Sequence, residues 1–139
     1  MLDKQNRILY HCISQVIQLE KIMPFSFNNQ TPIYFQIIEY IKTEIITGRY
    51  KSGEKIPSVR EFSAMFEVNP NTVQKALLEL EDINLIVTER TSGKFVTQDK
   101  EIIEKIKKQT VDSLILEFYK NMGALGIDKE KALKILNED

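Results

Sequence analysis

Apolar residues recur along most of the chain every three or four positions, the spacing of one helix face, and alternate with polar ones only in a short stretch before residue 100. Leu9, Cys12, Ile13, Val16 and Ile17 predict an amphipathic N-terminal helix that ends before Pro24. Phe25 to Gln30 reads as a polar, extended linker. The next helix is expected to open with Thr31 as its cap and Pro32 as its first residue, where the missing proline amide does no harm. Ile33, Ile37, Ile38, Ile41 and Ile45 share one face of it, and Gly48 can close it in a left-handed conformation.

Lys51-Ser52-Gly53 is a turn, and Glu54-Lys55-Ile56 before Pro57 has room only for a short extended piece. Ser58-Val59-Arg60-Glu61 fits a capping box, in which the serine oxygen accepts the amide three residues on and the glutamate reaches back. The helix it starts turns Val59, Phe62 and Phe66 inward and stops near Glu67. Asn69-Pro70 then repeats the start signal. Val73, Ala76, Leu77 and Leu80 supply the inner face of this third helix, leaving Asn71, Thr72, Gln74 and Lys75 outward. Residues 85–88 and 94–97 are β-prone and flank Glu89-Arg90-Thr91-Ser92-Gly93, which predicts a hairpin. After Asp99 a long helix carries Ile103, Ile106, Val111, Leu114, Ile115, Phe118, Met122 and Leu125 on one side. A last short helix, capped by Asp128 after Gly126, is expected to turn Leu133 and Leu136 inward.

Helix, short strand, helix, turn, helix and hairpin, in that order, make a winged helix-turn-helix. The expected fold class is therefore α+β, mostly α, in three parts. Residues 1–30 form the N-terminal amphipathic helix and linker, 31–98 the winged DNA-binding domain and 99–139 a helical dimerisation segment. Such a domain offers a helix end to a major groove about 12 Å wide. Asn71 and Gln74 can pair with adenine edges and Lys75 with guanine or phosphate, and the free amides of the helix N-terminus favour a phosphate. Arg60 can pin the DNA backbone beside the groove, a contact that positions without reading sequence. Arg90 and Lys94 bracket the hairpin tip, where Gly93 lets the backbone approach a minor groove.

Composition narrows the alternatives. In 139 residues with 42% apolar and 28% charged side chains there is material for one small domain and an accessory segment. A net charge of −1 means that any affinity for DNA comes from local placement of cations. Cys12 is the lone cysteine and His11 the lone histidine, which leaves no intramolecular disulfide and no cysteine-built zinc site and fits a reducing cytoplasm. No run approaches the roughly 18 apolar residues of a membrane span. His11, Ser14, Gln15 and Gln18 interrupt the first apolar run, so a signal peptide is not expected, and Met23 offers an internal translation start. An enzyme lacks its parts here: there is no glycine loop for phosphate, no metal-ligand set and no cofactor motif, and Glu81-Asp82 sits at a helix end where solvated carboxylates are common. The remaining rival is a winged domain used for protein contact, against which the polar outer face of the third helix argues.

Four runs carry a specific resemblance. They are Pro32-Ile33-Tyr34-Phe35-Gln36-Ile37, the segment from Gly48 through Gly53-Glu54-Lys55-Ile56-Pro57-Ser58-Val59-Arg60-Glu61, Val68-Asn69-Pro70-Asn71-Thr72-Val73-Gln74-Lys75-Ala76-Leu77, and Leu85-Ile86-Val87. Together, over residues 31–97, they resemble the N-terminal domain of GntR-family regulators, and the short helical tail resembles the YtrA-type branch of that family. The resemblance implies that Arg60, Asn69, Asn71, Thr72, Gln74, Arg90 and Gly93 face DNA, with Ser58, Lys75 and Lys94 counted beside them. The chain departs from the family pattern in two places, since relatives commonly have an arginine where Lys75 stands and a second hairpin glycine where Thr91 stands. It also implies a bacterial, cytoplasmic repressor that binds double-stranded DNA as a homodimer. A small-molecule effector is compatible with the resemblance, although no residue identifies one.

Dimerisation has a physical argument of its own. Val111, Leu114, Ile115, Phe118, Met122 and Leu125 follow nearly the spacing of a coiled-coil seam and exceed what one small winged domain can cover. A symmetric partner would bury them and set two recognition helices about 34 Å apart over a palindromic site. The alternative is that the long helix folds back on its own domain.

Overall fold

In the computed structural model, which describes residues 26–138, helix α1 (Ile33–Ile46) lies across two shorter helices, α2 (Val59–Phe66) and α3 (Pro70–Asp82). A hairpin of β1 (Ile86–Glu89) and β2 (Gly93–Val96) follows, and then helices α4 (Lys100–Ala124) and α5 (Lys129–Leu136). The expected N-terminal helix, with Leu9, Cys12, Ile13, Val16 and Ile17, and the start at Met23 lie outside the described residues. Among those described, no helix is long and apolar enough to cross a membrane.

The core is built where the three helices of the winged unit meet. Ile37, Ile41 and Ile45 of α1, Phe62 of α2, Val73, Ala76, Leu77 and Leu80 of α3, and Leu85, Ile86 and Val96 around the hairpin are buried together. Phe62 and Phe66 stack at 5.6 Å between centroids, and Tyr40 meets Phe66 edge-on at 5.3 Å, so α2 is clamped to α1 by rings. Gln36 is the buried polar exception in α1. Its amide donates to the carbonyls of Asn28 and Thr31 and its oxygen accepts the Asn28 amide at 2.9 Å, which straps residues 28–31 to the helix.

Local chemistry sets the element ends. The Ser58 capping box forms as expected, with the Ser58 oxygen accepting from the Glu61 amide and the Ser58 amide donating to the Glu61 carboxylate at 2.7 Å. Glu67 adopts a left-handed φ of 54° to stop α2, and two residues later Asn69 caps α3 with Pro70 in its first turn. Gly48, at φ +77°, closes α1. The expected cap at Thr31 is corrected: Pro32 occupies the cap position of α1, with no side-chain bond, and the local acceptor for the Thr31 amide is Asn28. Ile33 is likewise not part of the buried stripe, because the first turn of α1 overhangs the core.

The hairpin runs one residue later at its first strand and one earlier at its second than the β-prone runs indicate. Leu85 precedes β1 because its amide is held by the Leu80 carbonyl at the end of α3. Pairing is antiparallel, with Ile86 opposite Val96 and Thr88 opposite Lys94. Residues 53–56 add a third, partial strand: Lys55 bridges Phe95, Ile56 donates to the Lys94 carbonyl and the Glu54 carbonyl accepts from Val96.

The long helix divides its apolar side between two surroundings. Ile102, Ile103 and Ile106 pack on the winged core, so the first turns of α4 do fold back on their own domain. Beyond Thr110 they have no such cover: Val111, Leu114 and Ile115 are exposed, and Leu125 is 75% exposed. Helix α5, capped by Asp128, rests on α4 through the fully buried Ala132 and through Lys129, whose ammonium sits 4.9 Å from the Tyr119 ring centroid. The expectation that Leu133 and Leu136 turn inward is corrected, since both are exposed; an eight-residue helix on a single neighbour has only one side to cover.

Phe62 is the largest fully buried side chain in this core. Replacing Phe62 by Ala is expected to destabilise the fold by roughly 3–5 kcal/mol. Urea unfolding of the variant beside wild type measures it, as a lower midpoint at unchanged slope.

Candidate nucleic-acid interface

Burial of one face of α3 decides what its other face presents. Val73, Ala76, Leu77 and Leu80 are fully enclosed, and at 100° per residue this leaves Asn71, Gln74 and Lys75 exposed on the far side, with Thr72 half-buried at its edge. The Asn69 oxygen accepts the Asn71 amide at 2.8 Å, so its amide nitrogen is left to donate outward. Asn69, Asn71, Thr72 and Gln74 thus sit together at the amino end of α3, whose first-turn amides are taken up by Asn69 through its side chain and its carbonyl. Lys75 departs from the expected outward aim. Its ammonium lies 3.7 Å from the centroid of the Tyr34 ring, at the start of α1, which draws the charge sideways along the domain. Tyr34 is a participant that the sequence reading did not pick out.

Ser58 and Arg60 are placed by the first turn of α2, both exposed. The Ser58 oxygen is committed to its helix through the Glu61 amide. Arg60 has no carboxylate within ion-pair distance among the described residues. The Glu61 carboxyl is held below its ordinary value chiefly by the Ser58 backbone amide, then by the Ser58 hydroxyl, with a smaller contribution from the charge of Lys55.

In the hairpin the expected residues separate. Arg90 is exposed in the three-residue tip, and Gly93 at φ +114° occupies a conformation that side chains rarely adopt. Lys94 is not at the tip's free edge. Its ammonium is bonded to the Glu81 carboxylate and to the Thr88 hydroxyl, and only 15% of its side chain is exposed. Thr88 also donates to Glu81, so this carboxylate at the end of α3 collects two donors from the wing. Burial pushes the Glu81 carboxyl up, but the hydrogen bonds from Lys94 and Thr88 and the Lys94 charge outweigh it and hold the group below its ordinary 4.5. Sequence gave no sign of this link, since Glu81 and Lys94 are 13 positions apart and belong to different elements.

Of the residues expected at a dimer seam, Val111, Leu114, Ile115 and Leu125 are exposed, and Phe118 and Met122 are half-buried. Phe118 gains part of its cover from the Tyr119 ring, 5.4 Å away. These positions lie on the half of α4 beyond its contact with the winged core, and the amino end of α3 is open to solvent.

A carboxylate whose folded-state pKa is depressed stabilises the fold above its unfolded pKa and loses that contribution as pH falls through the folded value. Wild-type stability is therefore expected to decline as the pH drops below 4.5, and Glu81→Gln to flatten that part of the profile. Thermal unfolding from neutral to acid pH measures it; two parallel profiles would refute the link.

Comparison with known proteins places this geometry. The family model for bacterial regulatory proteins of the gntR family matches residues 33–96, from α1 to the end of the wing. The HTH-type transcriptional regulator YhcF of Bacillus subtilis (strain 168) is 34% identical over 112 residues, covering 81% of this chain and 93% of its own length. The HTH-type transcriptional repressor YtrA of the same organism is 33% identical over 111 residues, covering 79% and 85%. A GntR family transcriptional regulator from Listeria monocytogenes has a solved structure that superposes with a TM-score of 0.74 at 43% identity, covering 81% of this chain and 99% of that one. These matches run past the wing into the helical tail, and the chain belongs to the GntR family of bacterial regulatory proteins, as a helix-turn-helix regulator of transcription and not an enzyme.

Proposed function

We propose that this DNA-binding regulator is a cytoplasmic repressor that occupies a palindromic operator as a homodimer. The observation that carries the reading is the phase of α3: its apolar side is wholly enclosed while the amides of Asn71 and Gln74 stand in solvent at the end that can enter a major groove. Asn71 and Gln74 read bases, with adenine their best-matched partner. Thr72, Asn69 and Ser58 hold phosphates by short-range donation, and Arg60 pins the backbone beside the groove. Arg90 reaches along the minor groove from the wing, with Gly93 keeping the hairpin backbone low. Repression follows from steric exclusion at a promoter, in keeping with the name of the similar YtrA.

The second copy is supported by the apolar surface that α4 and α5 leave open. Leu114 is 61% exposed and Leu116 72%, values that an isolated chain of this size has no reason to maintain on one helix. Pairing of two such tails buries both and fixes the separation of two winged units at about one helical turn of DNA or a multiple of it, which is why the operator is read as palindromic.

Selection of bound fragments from genomic DNA by the full-length protein supplies the operator and tests the reading at once: recovery of an inverted repeat supports it, and recovery of no enriched sequence refutes it. On the selected duplex, Gln74→Ala is expected to cost about 1–3 kcal/mol and to relax preference at one base pair per half-site, whereas Arg60→Ala weakens selected and random duplexes alike. Light scattering after size exclusion should give a dimer for wild type and a monomer for Leu114→Asp combined with Ile115→Asp; a monomeric wild type at micromolar concentration would count against the homodimer.

A further inference from the structure

The wing has a cation that neither its sequence position nor the family comparison assigns. With Lys94 tied to Glu81, the hairpin's own lysine is neutralised within the fold. Lys55 stands on the other side of the same strand. Its backbone bridges Phe95, and its side chain runs across the hairpin so that Cε lies 2.9 Å, and the ammonium 3.6 Å, from where a β-carbon on Gly93 would be. The stem of Lys55 thus lies against the bare α-carbon of Gly93.

The same residue touches the helix-turn-helix side of the domain. Only Ile56 and Pro57 separate it from the Ser58 cap of α2, and its charge reaches the Glu61 carboxylate in the first turn of that helix. It is exposed, and among the described residues no carboxylate lies within ion-pair distance of it. Arg60 on α2 and Arg90 at the hairpin tip are in the same state, and Lys55, against Gly93 and separated by two residues from the Ser58 cap, lies where the chain passes from the hairpin's edge to α2. A protein with a net charge of −1 can attract a polyanion only through such local placement of cations.

We infer that Lys55 is a phosphate-binding residue that holds the DNA backbone between the recognition unit and the wing, the part the hairpin's Lys94 does not play. The assignment rests on the DNA-binding reading above and adds one contact to it. A flexible ammonium at this place carries no base information; it contributes affinity by displacing a condensed counterion.

Fluorescence anisotropy of wild type and variants on the selected duplex and on a random duplex, over a range of KCl concentrations, tests it. Lys55→Gln is expected to reduce the slope of log K against log salt by about one ion per protomer and to weaken both duplexes by the same factor. Lys55→Arg should restore the slope, because charge rather than shape is needed. Lys94→Gln should leave the slope unchanged while lowering the melting temperature, because Glu81 loses its partner. An unchanged slope in Lys55→Gln, with wild type binding normally, would overturn the assignment and leave Lys55 as a neighbour that only balances Glu61. Loss of slope in Lys94→Gln instead would overturn it too. A wild type that binds neither duplex would overturn the DNA reading itself, and this contact with it.

Discussion

The enclosure of Val73, Ala76, Leu77 and Leu80 fixes the rotation of α3 about its axis, and every statement about which groups meet DNA depends on that rotation. Turning the helix by one residue would bring Gln74 into the enclosed place that Val73 holds, where its amide would lose water. Burying an amide that way costs on the order of 2–7 kcal/mol, and each displaced aliphatic chain forfeits about 1.5–3 kcal/mol of burial. Those sums exceed what a helix of 13 residues can recover elsewhere, so the register is single-valued. Ala76 matters here by being small, since it lets the axis of α3 come close to its neighbours.

The wing needs outside help of a different kind. Two strands of four residues are marginal by themselves in water. Three attachments make the hairpin a fixed part of the domain: Ile86 and Val96 reach into the helical core, residues 53–56 cover one edge of β2, and Glu81 gathers Thr88 and Lys94. The tail has the opposite character. Among the described residues its outer half leaves Val111, Leu114, Ile115 and Leu125 exposed.

Most of the winged unit was legible because its start and stop signals are local. Ser58 with Glu61, Asn69 with Pro70, and Asp99 and Asp128 each act within three residues of themselves, and all four starts are found where they were expected. The inner faces of α2 and α3 followed from spacing for the same reason. What sequence misjudged depended on side-chain partners in other segments or elements. Thr31 looks like a cap, but Asn28 and Gln36 organise that corner between them. Lys94 looks like a wing cation until Glu81 folds beside it, and Lys75 looks free until Tyr34 is brought under it. Leu133 and Leu136 carry an inward pattern, yet among the described residues α5 rests on α4 through Ala132 and both leucines stay exposed. Exposure of the expected polar groups was thus readable in the third helix and much less so in the wing.

The bond network at Glu81 has a consequence for how a duplex would be engaged. A hairpin hinged loosely on its domain would have to be immobilised at the moment of binding, at a cost in entropy for each rotor frozen. Here part of that ordering is done during folding, because the last turn of α3 and the hairpin share one carboxylate. On the proposed reading a duplex would meet helix and hairpin already joined, and one whose neighbouring grooves do not match their spacing would itself have to bend to be held.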